Sequence, residues 1–392
     1  MMKKIILFTL SLSFITCDKN SNETITSSYI PPLSLPIIPK YNFSRNGYNS
    51  VDVLECSLVK EPLDRLYSNR LVSAQITNER EYKDAFNLFN NGLYGIKPKE
   101  QIATSPLHLP NKEKITQDIE NLINTMATIS GYYSDSSIKR RKAQIGQTGF
   151  VGINISDPNR VYVDEKGLAI AEAFNYSIMG AIYLDKILNY HLDNYFFDNQ
   201  ELIKKHQNVV LPAGRNYTEL EHHWDLAYGY YDFWKKLAQP EGIPLLKDSE
   251  KKIFNAFVQG RIELGRYRYE DMKIHIRIIR EELSKVAIAR AINFLLSENT
   301  RSNLEEDSGS DAFASISKGY GLIYSLIFTR KANGETYISY EEIKNILQKL
   351  QQERGLWNKN KLLADENTEG SLKNIASELA KSFNISINDI KR

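Results

Sequence analysis

Apolar positions along most of the chain recur at three- and four-residue intervals, the spacing of helices laid against a core. Residues 79–93 place Tyr82, Ala85, Phe86 and Phe89 at that interval, and Ile115, Ile119, Leu122, Ile123 and Met126 repeat it before Gly131. Both stretches are predicted as amphipathic helices, the second stopped by its glycine. A Gly-containing, strand-like interruption covers 144–163. One long helical pattern comes next, over 165–192, with Ile170, Phe174, Ile178, Ile182 and Ile187 among its apolar positions. Gly180-Ala181 inside it implies close approach of another helix. Further helices are predicted at 218–237, 253–265, 271–296, 311–328, 340–350 and 372–383, with Ser339-x-x-Glu342 as a capping box. No convincing period-two alternation occurs, so the expected fold is all-α: two helical bundles, 41–239 and 245–392, divided at the proline-flanked break 240–244.

The start of the chain obeys different rules. Lys3 and Lys4 precede an uncharged run over 5–16 that stops at Cys17, the layout of a signal peptide. The run falls short of the roughly 20 apolar residues that span a bilayer. Phe14-Ile15-Thr16-Cys17 resembles the lipobox of bacterial lipoproteins, which implies that 1–16 is removed and that Cys17 carries lipid. Asp18-Lys19-Asn20 resembles the charged tails of Bacteroidetes-type lipoproteins sent to the cell surface. Ser, Thr and Asn then dominate 20–28, and four prolines stand between 31 and 39. Such a composition buries little and denies backbone donors, so 17–40 reads as a lipid anchor on a flexible, Pro-rich linker.

Composition narrows the partners. The 392 residues are 42% hydrophobic, and 50 basic against 48 acidic side chains leave a formal net charge of +2. That balance gives no field for nucleic acid or for an anionic membrane surface, so bilayer contact is expected through Cys17 only. The basic run Lys139-Arg140-Arg141-Lys142 is too local to change this. Cys56 has no cysteine left to pair with if Cys17 is lipidated, and is expected as a small buried apolar side chain. His-Glu-x-x-His, Gly-x-Ser-x-Gly, phosphate-loop and Cys-x-x-Cys patterns are all missing from the sequence.

One segment concentrates chemistry. Only six histidines exist, and two are adjacent in the stretch from Thr218 to Tyr231. Thr218 and Glu221 have capping-box spacing, which makes Thr218 the expected N-cap. At 100° per residue Leu220, Trp224, Ala227, Tyr231 and Trp234 share the core face, with Glu219, His223 and Tyr230 on its border. His222 and Asp225 are expected on the other side. Two polar pairs result, Glu219 with His223 and His222 with Asp225, and Glu219-x-x-His222 has the ligand spacing of di-iron bundles. Carboxylate plus imidazole suits iron, zinc or copper, so Glu219, His222, His223 and Asp225 are the candidate metal ligands. Completing ligands would come from Glu172, Asp185, His191, His275, Glu281 or Glu282. The alternative is that both histidines are hydrogen-bonded side chains at a helix start.

Tyr41-Asn42-Phe43-Ser44-Arg45-Asn46-Gly47, the Gly180-Ala181 helix with Leu184-Asp185-Lys186-Ile187, and Glu221-His222-His223-Trp224-Asp225-x-Ala227-Tyr228-Gly229-Tyr230 together resemble the Bacteroidetes lipoprotein family catalogued as domain of unknown function 4856. The resemblance spans most of the mature chain. Those proteins are more distantly similar to the imelysin family of helical envelope proteins linked to iron acquisition, whose hallmark is Gly-x-His-x-x-Glu. His222 and Asp225 fall on its His and Glu positions, and Leu220 replaces its glycine. The resemblance implies an outer-membrane lipoprotein, displayed on the surface, that binds iron, haem or another metal complex beside an outer-membrane importer or other envelope protein. An imelysin-like metallopeptidase and a metal-free protein- or glycan-binding scaffold are the alternatives.

Overall fold

A computed structural model describes residues 40–305 and 309–390. The signal peptide, Cys17 and most of the linker lie outside the described residues. Directly after the linker the chain forms a hairpin, where a helical pattern is expected from the sequence. Asn46 and Gly47 take the left-handed region, with φ 52° and 81°. A two-residue type I′ connection requires that of both positions, which is why Asn-Gly favours it. Ser44–Arg45 thereby pairs antiparallel with Tyr48–Asn49.

Helices then dominate. Leu54–Leu66 is followed by Glu79–Asn90, whose start is fixed by Asn78 accepting from the Glu81 amide. Lys112–Ser130 ends on Gly131, which caps it with φ 87°. The interruption at 144–163 supplies two short antiparallel strands, Gly149–Val151 and Val161–Val163, with Phe150 opposite Tyr162. Asp164 then holds a turn by accepting from the Lys166 and Leu168 amides, which delays the expected helix at 165 until Ile170.

Ile170–Ile178 is α-helical, but Met179–His191 continues for 13 residues with π-type winding. Hydrogen bonds to i+5 change the angular spacing past Met179, yet the expected apolar positions Ile182 and Ile187 are still buried. Asp185, Asn189 and His191 are buried there together with Ile182 and Ile187. The expected close approach at Gly180 is present. A Cβ on that residue would lie 2.4 Å from the Ser325 Cα.

In the second half, Ser249–Gly265 packs on Tyr269–Leu296, and Ser310–Ser325 lies against both Tyr269–Leu296 and Ile170–Ile178. Tyr340–Gln351, with the expected Ser339–Glu342 capping box, and Leu372–Ser382 complete the packing. The architecture is all-α. Lys40–Arg392 forms one compact unit. The 240–244 turn sits inside it, and helices from before and after that turn share a core. Among the described residues no helix is long and apolar enough to cross a membrane.

Gly180→Ala forces a methyl against the Ser325 backbone, where neither helix can yield. It should lower unfolding free energy in urea by about 2 kcal/mol or more, as overpacking at a backbone contact does. An unchanged midpoint would show that the two helices are not in this contact.

Candidate functional site

The helix Glu219–Tyr231 starts as its sequence dictates. Thr218 Oγ1 accepts from the Glu221 amide at 3.4 Å, and Glu221 Oε2 accepts from the Thr218 amide at 2.8 Å. Leu220, Trp224, Ala227, Tyr231 and Trp234 form the buried face. Trp224 donates from its indole nitrogen to the Phe257 carbonyl at 2.9 Å, and its ring covers Gly260, where a Cβ would come within 2.1 Å. The rest of the helix departs from expectation. Tyr230, expected on the border, is fully buried, and Asp225, expected on the outer side, has 0% exposure. The hairpin and the Ser249–Gly265 helix cover that outer side.

An ion cluster fills the covered face. Arg45, from the hairpin, donates through Nη2 to both Glu221 carboxylate oxygens at 2.9 and 2.8 Å. Arg261, 3% exposed, donates from Nη1 to Glu221 Oε1 at 2.9 Å and from Nε to Asp225 Oδ1 at 3.0 Å. Tyr41 donates its hydroxyl to the same Asp225 oxygen at 2.5 Å and stacks on Tyr228 at 3.7 Å. The Arg261 guanidinium also lies over the Phe43 ring, 5.1 Å from its centroid. Two guanidiniums thus meet two carboxylates, Arg45 from the solvent edge and Arg261 from the interior, and this pairing offsets the cost of burying charge although Arg261 Nη2 and Asp225 Oδ2 have no partner among the described residues.

Burial raises the Asp225 carboxyl to about 6 in spite of Arg261 and Tyr41. Glu221 goes the other way. Burial pushes it up, but Arg261, the Thr218 amide and Arg45 together hold it at about 2. Arg261 is raised, the two carboxylates outweighing its burial.

The two histidines leave the helix in different directions. His222 lies flat on Tyr217, ring centroids 4.3 Å apart, and burial lowers its pKa. His223 reaches the end of the π-wound segment, where its Nδ1 is 3.1 Å from Nδ1 of His191. Phe196 stacks on His223 at 3.7 Å, and Tyr190 and Tyr230 flank the pair. Burial depresses both imidazoles, with neighbouring imidazoles adding to it: His223 falls to about 3 and His191 falls well below its ordinary value. Both rings are neutral at pH 7. One nitrogen of the facing pair carries the hydrogen and the other accepts it.

The four candidate ligands are therefore not gathered at one point. Glu219 is exposed on the first turn, His222 lies on Tyr217, His223 meets His191, and Asp225 is held by Arg261 and Tyr41. A cation at Asp225 would face the Arg261 guanidinium, so that carboxylate does not fit a metal. Among the described residues no group of three or more His, Cys, Asp or Glu converges as a cation site. The candidate completing ligands are likewise dispersed: Glu172 accepts from Tyr67, Asp185 from Ser105, and Glu282 from Ser249, while Glu281 is exposed and His275 is buried beside Gly260. His191 alone joins the site helix. Cys56 is buried, as expected, with its sulfur against Gly229. Sequence reasoning missed Arg45 and Arg261. The Asn-Gly turn was the available signal for the first, since it marks a hairpin that presents Arg45. For the second, a lone arginine in an amphipathic helix, no signal existed.

Comparison with known proteins gives a family match. The family described as Domain of unknown function (DUF4856) matches residues 38–386. No curated protein and no solved structure matches the chain.

The ion cluster sets a pH dependence. Glu221 ionises at about 2 in the fold against 4.5 for the unperturbed group. Its contribution is therefore fully present above pH 4.5 and is lost as pH falls through 2. Glu221→Gln leaves two guanidiniums facing Asp225 alone and should cost about 3 kcal/mol at pH 7, as breaking a buried pair does. Urea unfolding of both proteins from pH 7 to pH 2 measures this. The difference should shrink only below pH 4.5, and a constant difference would refute the ionised role of Glu221.

Proposed function

We propose, for a chain that belongs to the DUF4856 family, the role of an envelope binding protein, lipid-anchored at Cys17 in the outer membrane, that offers the His191–His223 pair to a transition-metal ion or metal complex. The observation that carries this reading is the 3.1 Å separation of the two facing Nδ1 atoms. Two metal–imidazole bonds of about 2.0–2.1 Å meeting at a tetrahedral angle put their nitrogens about 3.3 Å apart, close to the spacing of the pair, so an ion would take the place of the hydrogen between them with a modest turn of the rings. Metal ligation requires neutral imidazole, and burial keeps both rings in that form.

Imidazole suits iron, copper and zinc alike. Two protein ligands leave the remaining coordination positions to the cargo's own chelating groups, which fits capture of a metal complex for transfer to an outer-membrane importer. The linker over 17–40 would supply the reach for that transfer. A metallopeptidase reading has less support, because it needs Asp225 as a ligand and Arg261 already holds it.

A second reading, metal-free recognition of a glycan or protein, rests on a separate patch. Tyr82 stacks on Tyr132 at 4.6 Å, Tyr133 is 58% exposed beside them, and Asn87, Asn90 and Asn91 line an adjoining open cleft. Stacked aromatic faces edged by amides present both an apolar platform and hydrogen-bonding groups.

Titration of the mature chain with zinc and copper(II), monitored by calorimetry, discriminates the two. About one equivalent should bind, and the His191→Ala, His223→Ala double variant should bind at least about 10-fold more weakly, or about 1.4 kcal/mol. Equal binding by the double variant would remove the metal reading and leave the tyrosine patch as the better account.

A further inference from the structure

Arg261, Arg280, Arg290 and Arg330 are the arginines buried within the described residues. The first is neutralised by Glu221 and Asp225, and Arg290 meets Glu241 at 2.8 Å. Arg280 and Arg330, 3% and 9% exposed, have no carboxylate partner among the described residues. Arg280 donates from Nη2 to the Leu192 carbonyl at 2.9 Å and to Asn194 Oδ1 at 3.4 Å. Arg330 donates from Nη1 to Asn189 Oδ1 at 3.2 Å. These acceptors are neutral. The Nε atoms of both arginines are buried without any partner among the described residues.

The free ends of the two side chains converge. A Cβ placed on Gly334 would lie 3.4 Å from Arg280 Nη1 and 3.4 Å from Arg330 Nη2, so both guanidiniums border the one position in this turn that carries no side chain. Gly334 sits at φ 90° in the 331–335 turn, which is closed by the Lys331 amide donating to the Glu335 carbonyl at 2.8 Å. Ser284 fixes the Arg330 backbone from below, donating to its carbonyl and accepting from its amide.

Two like charges side by side at low exposure are unfavourable unless an anion joins them. Burial and then Arg330 lower Arg280 to about 10. Asp193 and Asp185 offset this in part, but their carboxylates accept from the Tyr195 amide and from Ser105 rather than from either guanidinium. Asp193 acts on both arginines and Asp185 on Arg330 from a distance, but among the described residues neither guanidinium has a carboxylate in direct contact, in contrast to the arrangement around Arg261.

We propose that the Gly334 turn forms the rim of an oxyanion site, in which Arg280 and Arg330 clamp a carboxylate or phosphate group of a ligand. The planar fork of a guanidinium matches both groups, and at Gly334 no side chain occupies the point 3.4 Å from each fork. This site is separate from the His191–His223 pair and does not depend on metal.

Thermal unfolding and calorimetry of the full chain with inorganic phosphate, and separately with acetate, at constant ionic strength, test the proposal. Saturable binding with a Kd below about 10 mM is expected for one or both probes, accompanied by a rising Tm. Phosphate alone would assign a phosphate group, and acetate alone a carboxylate. Gly334→Asp places a tethered carboxylate between the guanidiniums, and Gly334→Ala carries the same backbone strain at φ 90° without the carboxylate. The Asp variant should unfold at a higher Tm than the Ala variant in anion-free buffer and bind the probe at least about 10-fold more weakly than the parent chain. Arg280→Gln provides a second reading, with loss of probe binding expected in protein that still unfolds cooperatively. No saturable binding by the parent chain, or binding unchanged in Gly334→Asp, would overturn the proposal.

Discussion

Arg261 carries its charge into the interior at 3% exposure, and the surroundings of the candidate site are shaped by the need to satisfy it. Its Nε and Nη1 hydrogens reach Asp225 and Glu221 on successive turns of the Glu219–Tyr231 helix. Those carboxylates together carry more charge than one guanidinium cancels. Arg45 restores the balance, and it reaches the site only because Asn46-Gly47 folds the hairpin back. Buried ion clusters of this kind add little net stability over an apolar core, yet they fix register, because any slip leaves a charge unpaired. The hairpin, the site helix and Ser249–Gly265 are thereby locked in a single arrangement.

That lock decides what the histidine-bearing helix can present. With one face packed on the core and the opposite face covered by the hairpin, only its flanks are left for the histidines. His222 is taken by Tyr217, whereas His223 meets a side chain that arrives by an unusual route. His191 is the last residue of the π-wound segment, and the altered winding helps turn it inward together with Asp185 and Asn189. Two neutral imidazoles face each other inside an aromatic wall of Tyr190, Phe196 and Tyr230. The same π-wound segment contributes Asn189 to the Arg280–Arg330 cluster, so one irregular helix borders both polar sites.

Much of the helical framework is legible from spacing alone, since period and capping chemistry are local properties. The Thr218–Glu221 and Ser339–Glu342 capping boxes, the Gly131 stop and the close contact at Gly180 all depend on a few neighbouring residues. The faces of the site helix are half legible. Its apolar stripe can be read directly, but Asp225 falls on the outward side, because nothing in the local sequence tells that Tyr41 and Arg261, 184 and 36 positions away, cover it. The same limit applies to His191, whose partner depends on π winding that a 3.6-residue register does not encode. Motif spacing groups Glu219, His222, His223 and Asp225 by proximity along the chain, whereas the fold distributes them among four different neighbourhoods.

The measurement that bears most directly on this account is a double-mutant cycle on Arg45 and Glu221. Arg45→Met, Glu221→Gln and the combined variant, unfolded in urea at pH 7, report the coupling between hairpin and helix. If the ion cluster is the lock, the two changes are strongly non-additive, with a coupling of about 2 kcal/mol. Additivity within about 0.5 kcal/mol would contradict it, and would mean that the hairpin is held in place by its aromatic contacts instead.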